Sequence, residues 1–384
     1  MRTTLPVLTC LFALAACSSG VGWLPEGTGS PADPTPPEGG AGGQAGSIDT
    51  TPGTPGSGTG SSPGHTTTGS GAQGGTGGTS TGSGSASGST GSGSASGSTG
   101  SGSGSTGTGM PSEQCKGTLP QTPGCYWEPV CPDAPLEDLK SSYTSSKWLT
   151  TALEATTRRY PSANCLFDMY SSDVGNYAEK QSFGSLCESM MTMAHEETHG
   201  YDYEHALGNS HFSYYIRCDL ALQTPWLDGF PRSEILPYVE GSATDLYDGT
   251  YLTGTQGTYG FVELLDEWNA YINGMAALAL VGDHVPAFGI SGTDGALAFA
   301  YYVELYLKVA RTKHPTLYNT IKSTPAFLDL LRLQWNRMHF FLTLADAYPK
   351  LSIEAENIKP LLYSPESQQE LDLLLGPLTP TPCN

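Results

Sequence analysis

The residues best equipped for chemistry lie in Met193–Asp202, which reads MAHEETHGYD. His195 and His199 stand four positions apart, and on a helix that spacing puts both imidazoles on one face, one turn apart. Two nitrogens so placed reach a single Zn2+ at bond lengths of about 2.0–2.1 Å. Glu196 is rotated about 100° from His195. It lies beside such a metal, where its carboxylate can take a proton from bound water as general base. Gly200 follows directly and offers the helix a place to end.

Two histidines leave a catalytic zinc site incomplete, because such sites take three protein ligands plus water. Four residues compete for the third place. Glu267 comes first: it opens Glu-Trp-Asn-Ala-Tyr in the apolar run Phe261–Met275, and the small Ala270 three positions on permits close approach of two helices. Its neighbours Leu264, Leu265, Trp268 and Tyr271 are poor company for a solvated carboxylate, and burial without a partner is costly. His205 stands ten residues after His195, the spacing of the third histidine in metzincins. Asp202, however, occupies the place where a chain reversal calls for Gly. Glu240, in VEGSATD, has a comparable Glu-Gly-Ser-Ala shape, weakened as a helix by Gly241. Glu263 shares the face of Glu267 one turn earlier, with Asp266 at its small position. Tyr271 near a zinc ion can stabilise an oxyanion, and Arg232 in FPRSEI can pair with a substrate carboxylate. Packing for the tyrosine and a surface ion pair for the arginine are the preferred readings.

HEETHG followed some seventy residues later by LDEWNAYINGM resembles a group of bacterial zincin-type, gluzincin-like lipoproteins that combine an HExTHG helix with a later DExxAYxxG helix. The resemblance covers roughly 185–280. It implies a zinc metallopeptidase site with His195, His199 and Glu267 as ligands and Glu196 as base.

The elements that must hold these residues are mainly helical. Apolar residues recur at helical spacing in 145–160, 185–207, 261–281, 295–313 and 325–347, with Pro315 and Pro325 as punctuation. Residues 211–220 are aromatic-rich and read as a strand, and 249–260 as a turn or hairpin. The expected class is α+β, predominantly helical, with a zincin-like domain whose active-site helix meets a second, ligand-bearing helix.

Composition confines that domain to 113–384. Residues 1–16 carry Arg2 and an apolar run from Leu5 to Ala16, too short to span a bilayer, and read as a secretory signal. Leu14-Ala15-Ala16-Cys17 resembles a bacterial lipobox, which makes Cys17 the lipidated mature N-terminus. Ser18 after it favours the outer membrane or cell surface. Residues 17–112 are Gly/Ser/Thr/Pro-rich and cannot bury enough apolar surface to offset chain entropy, so a disordered tether is expected. Such a coil reaches on the order of 50–60 Å. Seven further cysteines, Cys115, Cys125, Cys131, Cys165, Cys187, Cys218 and Cys383, lack paired CxxC spacing and point to disulfides in an oxidising compartment, with one thiol left over or paired with another chain. The 17 Lys and Arg against 37 Asp and Glu give a net charge of −20, which argues against nucleic-acid partners.

Three functions compete. The first is a membrane-anchored, exported zinc peptidase acting on a peptide or protein substrate. The second is a non-catalytic surface module with a structural or vestigial zinc site. The third is a zinc hydrolase of amide bonds outside peptides.

Overall fold

The computed structural model describes residues 126–286 and 292–378, all within one compact unit. The signal segment, Cys17, the tract 17–112 and residues 113–125 lie outside the described residues, as do Cys115, Cys125 and Cys383.

The described chain is predominantly helical, with one two-stranded sheet. Helices α1 (Glu137–Ser142), α2 (Trp148–Arg159) and α3 (Pro161–Met169) lead into the long α4 (Phe183–Glu204). The antiparallel hairpin β1 (His211–Arg217) and β2 (Leu220–Pro225) follows, with Phe212 opposite Thr224 and Tyr215 opposite Ala221. A 3-10 segment (Arg232–Tyr238) and α5 (Asp245–Tyr251) precede α6 (Phe261–Ala279). The chain closes with α7 (Gly292–Lys313), α8 (Pro315–Ser323), α9 (Pro325–Ala345), α10 (Ala355–Leu362) and α11 (Pro365–Leu375).

Helix α6 is the axis of the domain. Every residue in it except Glu263 is buried, because α4, α7 and α9 all pack against it. A helix apolar all round belongs in a core, and the polar residues embedded in it must therefore find partners inside the protein. The Glu263 carboxylate accepts from the Gly260 N–H at 3.1 Å and starts the helix. Ser182 does the same for α4, its hydroxyl accepting from the Ser185 N–H at 3.1 Å. Helices α4 and α6 also come close at Gly274, one turn beyond Ala270, where a Cβ would sit 2.9 Å from the Met191 carbonyl oxygen.

Two local expectations are corrected. Residues 249–260 do not form a hairpin: α5 runs into them and a 3-10 turn, Gln256–Thr258, ends them. Helix α4 does not stop at Gly200 but continues to Glu204. Its last turn is held by Asp202, buried and accepting from the Tyr215 N–H at 2.5 Å, so a tertiary contact overrides the local preference of glycine. A disulfide joins Cys165 of α3 to Cys218 in the hairpin turn and keeps Tyr215 close to α4 and α6. Cys131 is also disulfide-bonded, while Cys187 is a buried free thiol. No described helix is long and apolar enough to cross a membrane.

Candidate metal centre

His195 and His199 project from one face of α4 toward α6. Their Nε2 atoms lie 3.2 Å apart, and Glu267 Oε2 stands 3.8 Å from the first and 3.4 Å from the second. Tetrahedral zinc with bonds of about 2.0–2.1 Å separates neighbouring ligand atoms by about 3.3 Å. Two of the three distances fall within about 0.1 Å of that edge, and the His195–Glu267 separation is about 0.5 Å longer.

The donor chemistry fits as well. Glu267 Oε2 is buried and has no hydrogen-bond partner among the described residues. An unmatched carboxylate oxygen in the interior is costly, and a cation between it and the imidazoles removes that cost. Burial, with His199 adding and Glu267 opposing, pushes the His195 pKa down to about 3, so the ring stays neutral as a ligand must. His199 Nδ1 faces Asp266 Oδ2 at 2.8 Å; donation of its proton there leaves Nε2 as the lone-pair nitrogen. Consecutive residues on a helix diverge by about 100°. Asp266 and Glu267 can thus address the two nitrogens of a single imidazole.

The other candidates are elsewhere. His205 caps the end of α4, exposed, with its ring stacked on Tyr201 at 4.0 Å. Because α4 continues straight through Asp202, no reversal brings His205 back. Glu240 is exposed, outside any helix, and Glu263 is committed to the start of α6. His195, His199 and Glu267 form the one group of three or more potential metal donors found together among the described residues. Glu196 is half-buried beside His195. Glu197, a further 100° or so round the helix, is buried, and its pKa is raised to about 8 by burial and then by Asp173 and Glu196.

The support beneath the site was not foreseen. Asp202, read from sequence only as a misfit at a glycine position, accepts from Asn269 Nδ2 at 3.1 Å as well as from Tyr215. Burial first, then the charge of Asp266, hold its pKa well above the usual carboxylate range. Asp266, whose charge contributes to that shift, faces His199 Nδ1 through Oδ2. Asn269 and Asn273 both donate to the Tyr215 carbonyl oxygen, at 2.8 and 3.1 Å. The available signal was polar residues at 266, 269 and 273 in an otherwise apolar helix.

Tyr271 packs, as preferred: its ring meets that of His195 edge-on at 4.4 Å and its hydroxyl pairs with Tyr251 at 2.8 Å. Arg232 is not on the surface. It is fully buried, and its Nη2 lies 3.9 Å from Glu267 Oε1. The site opens along His199, whose side chain is 17% exposed against 4% for His195 and 7% for Glu267. Tyr203, one turn further along the same face of α4, is exposed at that edge.

No family model matches this chain, and neither a curated protein nor a solved structure is significantly similar to it.

Proposed function

We propose that this chain is an exported zinc-dependent peptidase of zincin type, anchored to the bacterial cell envelope through lipidated Cys17, at the outer membrane or cell surface. One observation carries the reading: the unpartnered Oε2 of Glu267 converges on the Nε2 atoms of His195 and His199. Three donors from the protein leave a fourth tetrahedral corner for water or substrate, and the exposed edge of His199 gives access to it.

A zinc ion held there supplies polarisation of a scissile carbonyl and acidification of a water. The chain's own residues do the rest. The Glu196 carboxylate accepts the proton of the attacking water and returns it to the departing amine. Asp266 keeps the His199 ring in the tautomer and orientation that direct Nε2 inward. Tyr271 walls off the far side of His195 and excludes water there.

The test is metal content together with turnover of an unstructured protein substrate. About one zinc per chain is expected, with cleavage abolished in Glu196→Gln. Absence of zinc, or cleavage equal in parent and variant, rejects the reading. The low exposure of His195 and Glu267 also suits a structural zinc site in a non-catalytic surface module. Retained zinc with no hydrolysis of peptide or other amide substrates would favour that alternative.

A further inference from the structure

Arg232 is built into the protein more tightly than a surface arginine could be. Its backbone N–H donates to the Tyr259 carbonyl oxygen at 2.7 Å. Nε donates to the carbonyl oxygens of Tyr251 and Gln256, each at 2.8 Å, and Nη2 donates to Gln256 Oε1. The guanidinium lies over the rings of Tyr251 and Tyr259 at 5.4 and 5.5 Å. Gly257 lets this cradle close, since a Cβ there would sit 2.8 Å from the Leu252 carbonyl oxygen. Held through Nε and Nη2 and packed against two aromatic rings, the planar cation has little freedom to move, while its buried Nη1 has no hydrogen-bond partner.

What this fixed cation faces is the third metal donor. Nη2 is 3.9 Å from Oε1 of Glu267, while Oε2 of the same carboxylate points at the imidazole pair. Its two oxygens are therefore differentiated: one is drawn toward a buried positive charge, the other is left for the metal. Tyr251 ties the arrangement together. Its carbonyl oxygen holds Arg232, and its hydroxyl pairs with Tyr271, which packs on His195. Carboxylates can ligate through one oxygen or two, and two-oxygen ligation by Glu267 would take up the open corner that a catalytic site needs.

We propose that Arg232 is a positioning residue: it attracts Oε1 of Glu267 so that Oε2 alone is presented to the metal. The inference rests on the metal-binding reading above. It is tested on the full chain by zinc affinity, measured through competition with a chromophoric chelator, and by the visible spectrum of the Co2+-loaded protein. Arg232→Gln should weaken zinc binding about 10–100-fold, the range for residues that orient ligands, and should shift the Co2+ bands. Arg232→Lys, which keeps the charge but not the fork, should recover part of the loss. In a Glu267→Gln background neither substitution should weaken zinc further. Zinc affinity within two-fold of the parent in Arg232→Gln, or an equal loss with and without Glu267, overturns the proposal. If Arg232→Gln fails to fold, Arg232→Lys takes its place in the same cycle, and the same two results overturn the proposal. A parent chain that binds no zinc sinks the metal-binding reading itself, which is a different result.

Discussion

Glu128 and Glu267 are both sealed inside the domain beside an arginine, yet only one is provided for. Glu128 accepts from the Tyr160 hydroxyl at 3.1 Å and from Arg337 Nε and Nη2 at 3.3 and 3.4 Å. Arg337 donates onward to Tyr160 and to Asn273 Oδ1, at 2.7 and 2.9 Å. Both carboxylate oxygens of Glu128 are satisfied, and the cluster joins the segment before α1 to α6 and α9, leaving only Arg337 Nη1 without a partner. Glu267 has its arginine at 3.9 Å and an oxygen left over, facing two imidazoles. Burial and a nearby cation do not mark a candidate metal donor; the unmet oxygen and what it faces do. Glu304 completes the lesson. Its Oε1 also lacks a partner, and Oε2 accepts from the Leu371 N–H at 3.2 Å. Its neighbours are Glu370 and Asp372, and burial above all raises its pKa far beyond the usual range. No group of potential metal donors among the described residues includes it.

The largest effect is expected from Glu128→Ala, which strands the Arg337 charge in the interior and should cost about 3–5 kcal/mol. Urea unfolding should give the same loss with added zinc or with chelator. A loss that depends on zinc would erase the distinction between the two glutamates. Glu196→Gln should reduce turnover by at least about 10²-fold while zinc content stays at the parent level, and zinc lost along with activity would make Glu196 a ligand instead. Asp266→Asn should weaken zinc binding about 10–100-fold in chelator competition; unchanged affinity would remove Asp266 from the support of His199.

Glu304 sharpens the contrast through pH. Its folded pKa is raised, while the unfolded carboxyl titrates near its ordinary value of about 4.3. Below that value both states hold the proton and nothing changes. Above it the unfolded chain releases the proton and the folded chain does not, so stability falls as pH rises toward the folded pKa. Glu304→Gln should match the parent near pH 4 and exceed it at pH 8 in thermal unfolding. Equal midpoints at both pH values would mean that Glu304 is ionised in the fold. The smallest effect belongs to His205→Ala, with stability within about 0.5 kcal/mol of the parent and zinc affinity unaltered. A fall in zinc affinity there would restore His205 as a ligand.

Spacing along the chain was enough to pair His195 with His199, since four residues on a helix define a shared face whatever surrounds it. The Glu-x-x-small pattern and an apolar run around it put Glu267 first among four candidates for the third donor. The five long helices were legible for the same reason: their periodicity is local. The short helices α3, α8, α10 and α11 carry too few turns to announce themselves, and the Thr- and Gly-rich stretch that forms α5 and the following 3-10 turn imitates a hairpin.

Only the tertiary structure decided the rest. Asp266 supports a histidine 67 positions away, and Asp202 reads as a misfit until Asn269 and Tyr215 are folded against it. Arg232 reads as a surface residue until Tyr251, Gln256 and Tyr259 close over it. Backbone geometry places neighbours within a few turns, and so it is written in order along the sequence. The partner of a buried charge is chosen by which helices pack together, and that choice belongs to the whole chain at once.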